Sequence, residues 1–399
     1  MISTGFYPQV GGVERQLRGL SAALVRDGHP VDVLTRYLGG GPVDETLDGV
    51  QVHRVRLIHA TRALASASFL FGGLRWIRSQ TSAAAVDSLA STPFDIYHCH
   101  QAFSAANLGV FAKKMLGGRV VVKITISGKL SEMAAATRDM PFASIRRRLF
   151  KYVDVFIAIS DEIAREIQAA GIPKERIALI PNGVMLPESS GIDSESRQRA
   201  RNALGYGWDR IAVFVGRLAW EKGLFVLLDA WKEVASKLPN AGLVLVGDGG
   251  TFRNVEEELK GKAQALGLGD SVLFAGLHED VMPMVQAANV LVQPSFSEGM
   301  SNAVLEGMAS GRAIVATDLP SNCELITSGE SGYLTPSGQP KPLAEALLLA
   351  LDSPEKTDRM GLKARQTIER KYSFERVADQ YRLLYEKLTT NERREAVNS

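Results

Sequence analysis

Two carboxylates, Glu298 and Glu306, stand with seven residues between them in the run Glu-Gly-Met-Ser-Asn-Ala-Val-Leu-Glu. The run follows an apolar stretch, Asn289-Val-Leu-Val-Gln-Pro-Ser, which reads as a buried parallel strand ending at Pro294. Ser301 is placed to cap a helix beginning at Asn302, and Gly311 to end it. Glu298 and Gly299 then lie in the loop at the carboxyl end of a strand, with helix-terminal amides just behind, where open α/β sheets bind ligands and anionic groups are favoured. Glu306 falls about one turn into the helix, at ~1.5 Å per residue. One carboxylate is placed to reach a polyol near a phosphate and the other a second polyol further along. The bland alternative is a surface-loop Glu and a solvated helical Glu.

A second constellation is Val215-Gly216-Arg217-Leu218-Ala219-Trp220-Glu221-Lys222-Gly223. It leaves a strand end, carries two cations five residues apart and finishes on a helix start. Arg217 suits a bidentate grip on phosphate and Lys222 a point charge, so together they could neutralise a diphosphate without a metal. A surface Arg217 paired with Glu221 is the structural alternative. Gly11-Gly12-Val13-Glu14 puts two glycines at another helix start, where free amides suit an oxyanion; alone it is as well read as a tight turn. His98-Cys99-His100 closes a strand, with the two imidazoles on one face. His98 reads as a buried structural residue and His100 as lining a cleft between domains.

The elements needed to hold these groups recur along the whole chain. Beta-rich runs at 31–35, 51–57, 95–99, 119–125, 153–159 and 176–180 alternate with helical patterns, the first of which places Val13, Leu17, Leu20 and Leu24 on one face. After a polar stretch at 188–201, a second series follows at 211–215, 243–247, 272–274, 290–293, 313–317 and 332–334. Two such series predict two doubly wound parallel sheets in an α/β protein. The expected domains are 1–184 and 185–372, with 373–399 a C-terminal helix crossing back to the first domain and frayed from Thr389 onward. Only Met1-Ile2-Ser3-Thr4 precede the first glycine loop, which leaves either a clipped first strand or a coding start further upstream.

Composition narrows the function classes. At 399 residues, 45% hydrophobic and 23% charged, the chain reads as a globular protein of two domains. A net charge of +2 supplies no field for nucleic acid. Two cysteines, Cys99 and Cys323, exclude a disulfide framework or structural zinc site and fit a reducing, cytoplasmic compartment. No uncharged apolar run approaches the ~18 residues of a membrane span. The segment 64–77, flanked by Arg62, Arg75 and Arg78, and the cluster Arg146-Arg147-Arg148 with Lys151 suit peripheral contact with an anionic membrane, or equally two half-buried helices. Phosphate-loop, dinucleotide, nucleophile-elbow and zinc-protease motifs are absent, as is any Asp-x-Asp for a metal-bound nucleotide. No metal site and no cofactor are expected.

Taken together, Phe6-Tyr7-Pro8 with Gly11 to Glu14, Asp95 to His100, Ile180-Pro181-Asn182-Gly183-Val184, Val215 to Gly223, Leu245 to Gly249, and Pro294 through Glu306 resemble family 4 of the retaining glycosyltransferases. The resemblance runs almost end to end. It implies the GT-B architecture, two facing Rossmann-like domains with a cleft between them, and a nucleotide-diphosphate sugar as substrate. Carried over by position, Arg217 and Lys222 bind the donor diphosphate, Glu298 contacts the donor sugar and Glu306 the nucleotide ribose. Gly299, Met300, Ser301 and Asn302 offer amides to sugar and phosphate, Gly216 opens the diphosphate loop, and Gly276 and Leu277 lie beside the base. Gly11 and Gly12 approach the phosphate or the acceptor from the first domain, and His100 joins the catalytic set. Two departures stand out: Ser127 replaces a histidine of a Thr-x-His-Gly setting, and Met185 replaces an acidic residue. The implied activity is retaining, metal-independent transfer of a sugar to a glycan or lipid-linked glycan, in cell-surface polysaccharide or glycolipid synthesis. A nucleotide-sugar epimerase of the same architecture and a non-catalytic sugar-nucleotide-binding protein are the alternatives.

Overall fold

A computed structural model describes residues 1–9, 11–39, 41–80, 92–128, 131–137, 143–187, 194–250 and 254–397. The chain forms two compact units, 1–183 with 374–399, and 184–373.

In the first unit the order is α1 (Gly12–Arg26), β1 (Asp32–Arg36), β2 (Asp44–Leu47), β3 (Val50–Val55), α2 (Arg62–Ser79), β4 (Ile96–His100), α3 (Ser104–Leu116), β5 (Arg119–Ile124), α4 (Glu132–Thr137), α5 (Ala143–Phe150), β6 (Val155–Ala158), α6 (Asp161–Ala169) and β7 (Ile177–Leu179). β4, β5, β6 and β7 run parallel in that order, and β1 runs parallel to β3. Ile2 joins the two halves by pairing in parallel with Leu34 of β1 and Cys99 of β4. Residues 1–3 thus occupy the central strand position, bonded on both sides. Among the described strands of this unit the parallel pattern has one exception, the edge strand β2, which pairs antiparallel with β3.

The second unit follows with α7 (Ser194–Leu204), β8 (Arg210–Val215), α8 (Leu224–Lys237), β9 (Ala241–Val246), α9 (Glu256–Ala265), β10 (Val272–Gly276), α10 (Met282–Ala287), β11 (Val290–Gln293), α11 (Asn302–Ala309), β12 (Ala313–Thr317), α12 (Pro320–Leu325), β13 (Gly332–Thr335), α13 (Pro340–Asp352) and α14 (Pro354–Lys371). Its strand order is β10-β9-β8-β11-β12-β13, all parallel. The chain starts in the middle, winds outward to β10, then returns to lay β11 against the other side of β8. This doubly wound order creates a topological switch point between β8 and β11, the place where open α/β sheets bind ligands. Val, Leu and Ile fill these strands because both sheet faces are covered by helices; Leu227, Leu228 and Trp231 of α8 and Leu343 and Leu347 of α13 pack on one face.

α15 (Phe374–Val397) returns to the first unit. Its stripe of Phe374, Val377, Ala378 and Tyr381 packs with Leu20 and Leu24 of α1 and with Val121 and Ile157 of the sheet. Phe374 sits directly on Gly19 and Gly183: a Cβ added at these glycines would lie 2.0 Å and 2.5 Å from its ring. The backbone of α15 stays helical through Val397, where fraying was expected from Thr389.

Candidate active site

Strand β8 ends at Val215, and the chain turns through Gly216 into a short 3-10 turn, Trp220–Lys222, before α8. Gly223 links turn and helix at φ +69°, and a Cβ there would come within 2.0 Å of the Pro294 carbonyl. Only glycine meets both conditions, so Lys222 is delivered against the loop that follows β11. That loop is tied back: the Phe296 amide donates to the Glu221 carbonyl at 2.8 Å.

The consequence is an ion pair across the switch point. Lys222 Nζ donates to Glu298 Oε1 at 2.6 Å, with 16% and 12% of the two side chains exposed. Two further donors converge on the same oxygen, Gln293 Nε2 at 2.8 Å and Ser295 Oγ at 2.9 Å. Gln293 Nε2 also donates to Ser295 Oγ at 2.9 Å, Thr317 Oγ1 to the Ser295 carbonyl at 2.8 Å, and Ser321 Oγ to the Glu298 carbonyl at 3.2 Å. Burial pushes the Glu298 carboxyl up, but the Lys222 charge and the hydrogen bonds from Lys222, Ser295 and Gln293 outweigh it, and the group titrates below its ordinary range. An anionic carboxylate is therefore held at the carboxyl edge of the sheet.

Arg217, half exposed, pairs with Glu221 Oε1 at 2.8 Å, which is the pairing that the structural alternative describes. Ser301 caps α11 by accepting from the Val304 amide. Gly299, Met300 and Ser301 are buried along the approach to that helix, and Asn302 and Glu306 are half-buried on its first turns. Gly276 lies at the end of β10, its carbonyl accepting from the Gly247 amide at 2.8 Å, and Leu277 beyond it is exposed. Arg217, Lys222, Gly216, Gly276, Leu277 and the run from Glu298 to Glu306 thus all sit along or just behind the carboxyl edge of one sheet. Trp220, exposed beside them, packs its ring 4.9 Å from that of Phe296.

The first unit holds the remaining candidates, and two expectations need correction there. His100 is completely buried, so it lines no open wall. Its ring lies 4.5 Å from that of His98, whose Nδ1 bonds the Tyr385 hydroxyl at 2.7 Å, and whose ring lies 5.2 Å from Tyr381. α15 covers this face of β4, which strand alternation alone does not reveal. Burial, reinforced by the neighbouring Lys123 charge, holds both imidazoles neutral. Neither ring nitrogen of His100 has a hydrogen-bond partner. The second correction concerns Gly11 and Gly12. The Gly11 amide, expected to stand open, is bonded by the Glu14 carboxylate, and a Cβ at Gly11 would lie 2.5 Å from Glu14 Oε2. Gly12 itself is exposed at the start of α1.

Several polar groups near these positions escaped sequence reasoning. Lys123 is buried in β5 and pushed down to about 7 by burial; the signal was a lone lysine in Val-Val-Val-Lys-Ile. Glu132 is buried below the loop carrying Ser127, accepting from the Thr125 and Ile126 amides at 3.1 and 3.3 Å, and is pushed up to about 7 by burial. Ser127 is buried, and the adjacent Gly128 amide donates to Glu166 at 2.6 Å. Among the described residues no three His, Cys, Asp or Glu side chains are grouped to hold a metal ion.

Comparison with known proteins divides the chain as the fold does. Residues 11–183 match the model of the glycosyl transferase 4-like domain, and residues 196–367 that of the glycosyl transferases group 1. An uncharacterized glycosyltransferase of Methanocaldococcus jannaschii is 26% identical over 390 residues, 95% of each chain. The phosphatidyl-myo-inositol mannosyltransferase of Mycobacterium leprae is 29% identical over 308 residues, 76% of each. Among solved structures, Anabaena HepE in complex with UDP and glucose superposes with a TM-score of 0.76 at 18% identity, covering 96% of this chain and 98% of that one, and shares its GT-B fold.

Proposed function

From a chain that belongs to the group 1 glycosyltransferases of the family 4 type, we propose a reaction that moves a sugar from a nucleoside-diphosphate donor to a hydroxyl acceptor and retains the anomeric configuration. The observation that carries this reading is the Lys222–Glu298 pair at the switch point between β8 and β11. A cation and an anionic hydrogen-bond acceptor side by side match the two halves of a nucleotide sugar, a diphosphate and a polyol. On binding, Lys222 and Arg217 turn from their carboxylates to the diphosphate oxygens, and Glu298 accepts from a sugar hydroxyl. Glu306 takes the ribose further along α11. HepE is described in complex with UDP and with UDP-glucose, which supports a donor of that class.

The bond from the anomeric carbon to the diphosphate oxygen breaks as the bond to the acceptor oxygen forms on the same face. The departing diphosphate oxygen takes the acceptor proton. Such a step depends on charge stabilisation of the leaving group more than on a strong base. A buried His100 and a serine at position 127 are compatible with it. Each of the two cations contributes roughly 10²–10³ in rate, and no divalent metal is needed.

The acceptor, on this reading, is a glycan or lipid-linked glycan presented at an anionic membrane on the cytoplasmic side. No described helix is long and apolar enough to cross a membrane. α2 nevertheless exposes Leu64 and Phe71, 45% and 71% accessible, on a helix that also exposes Arg75 and Arg78. Arg147 and Arg148 are exposed on α5; the side chain of Arg146 lies outside the described residues. The named substrate of the mycobacterial relative, a phosphatidyl lipid, supports the same class.

The test is turnover of a panel of UDP-, GDP- and ADP-sugars with the product anomer read by NMR, in the presence and absence of excess EDTA. Inverted product, isomerised donor without transfer, or loss of more than ~90% of activity with EDTA restored by magnesium would each refute part of the proposal.

A further inference from the structure

β11 reads Val290-Leu291-Val292-Gln293, and all four residues are buried. The fourth breaks the pattern. Gln293 is 1% exposed, yet its side-chain carbonyl Oε1 has no hydrogen-bond partner. Buried polar atoms without partners are rare enough that each calls for a reason. An apolar residue would suit the strand and leave no orphan. What glutamine adds is its N–H donors, and both contacts they make lie in the site: Ser295 Oγ at 2.9 Å and Glu298 Oε1 at 2.8 Å.

The directions of these bonds are mutually consistent. An ionised Glu298 only accepts, so Nε2 must face it and Oε1 must turn away into the protein. Ser295 gives its hydroxyl proton to Glu298 and accepts from Gln293 with a lone pair. The closed triangle of Gln293, Ser295 and Glu298 fixes the plane of the carboxylate, and Lys222 closes on the same oxygen from the other loop. We propose that Gln293 is a positioning residue for sugar transfer, which orients Glu298 towards the donor sugar from beneath without touching the substrate. The inference rests on the donor-site reading above and assigns a residue outside the motif that carries it. Orientation of this kind acts on turnover, because the carboxylate must meet the sugar in one geometry as charge develops. It leaves the nucleotide end of the site alone.

The experiment uses the full chain and whichever donor of the UDP-, GDP- and ADP-sugar panel the wild type turns over. Gln293→Leu keeps the volume and removes the donors. Its kcat falls about tenfold, with affinity for the free nucleoside diphosphate, measured by calorimetry, within about twofold of wild type. The acidic limb of its kcat–pH profile moves up by about one unit, because a carboxylate that loses a donor ionises less readily. Gln293→Glu sets a second carboxylate against the first and moves that limb further. Wild-type kcat and an unmoved limb in Gln293→Leu would overturn the inference. So would a loss of nucleotide affinity as large as the loss in kcat, since Gln293 would then shape the whole loop. A wild type that binds none of the nucleoside diphosphates and turns over no donor refutes the underlying donor reading, and the inference with it.

Discussion

Replacing Lys222 by Met removes one charge from a pair 2.6 Å apart while keeping an unbranched stem of similar length. At an effective dielectric constant of ~20 the attraction lost is about 6 kcal/mol. Part of it returns, because the ammonium no longer has to be desolvated, and Ser295 and Gln293 still donate to Glu298. A net loss of about 3 kcal/mol is expected at pH 7 for a pair this far buried. The pH dependence makes the argument sharper. In the wild type the Glu298 carboxyl titrates below its ordinary 4.5, so its stabilisation is present above that value and is lost as pH falls through the folded-state value. Without Lys222, burial, the largest single influence on this group, loses its main opposing charge, so the carboxyl titrates higher than in the wild type and its contribution to stability falls. The stability difference between wild type and Lys222→Met should therefore shrink from about 3 kcal/mol at pH 7 to under about 1 kcal/mol near pH 4. Urea titration followed by tryptophan fluorescence is suitable, since Trp208, Trp220 and Trp231 lie in the second unit and only Trp76 in the first. Combining Lys222→Met with Glu298→Gln should recover stability to within about 1 kcal/mol of wild type. It should leave kcat/KM lower by roughly 10²–10³. A Lys222→Met protein as stable as wild type, with the same pH slope, would refute the buried ion pair and the site built on it.

Glu306→Ala should raise KM for the donor and weaken nucleoside-diphosphate binding, whereas Glu298→Gln should lower kcat more than it lowers that affinity; equal loss of nucleotide affinity in both, and nothing else, would cancel the separate roles. Lys123→Met should stabilise the first unit at pH 7, by at most about 4 kcal/mol for a shift from 10.5 to about 7. Because the unfolded chain binds the extra proton between those values, wild-type stability should climb from pH 7 to 10 and the variant should lack that climb in calorimetry. Sedimentation with anionic vesicles at low salt should carry down the wild type and markedly less of a variant combining Phe71→Asp, Arg147→Gln and Arg148→Gln, at ~1 kcal/mol for each arginine. A wild type that stays in the supernatant would remove the membrane from the proposal.

Much of the fold was legible because strands of a covered parallel sheet are rich in Val, Leu and Ile, and twelve such β-rich runs stand out between helical stripes. β2 was not, because Asp-Glu-Thr-Leu at a sheet edge buries almost nothing and lacks a strand's usual residues. Position along the chain placed Lys222 and Glu298 at strand ends, since glycine and proline punctuate both loops. Their contact across 76 residues depends on strand order, which no local pattern encodes. The burial of His100 was hidden for a similar reason. Alternation puts His98 and His100 on one face of β4, but the helix covering that face comes about 280 residues later. Gln293 and Lys123 were visible only as polar interruptions of apolar runs.

The division of the chain has a consequence for biosynthesis. The second unit is one uninterrupted stretch, whereas the first is closed by α15, which is translated after the whole of the second unit. As the polypeptide leaves the ribosome, the second unit has all of its core available first. The faces of α1, β5 and β6 that receive Phe374, Val377 and Tyr381 must wait until α15 emerges. Until then Leu20, Leu24, Val121 and Ile157 lack part of their apolar cover, the condition in which nascent chains engage chaperones or aggregate. A stalled or truncated product ending before Phe374 would therefore carry a finished second unit tethered to an unfinished first one. Completion of the first unit waits on the arrival of α15.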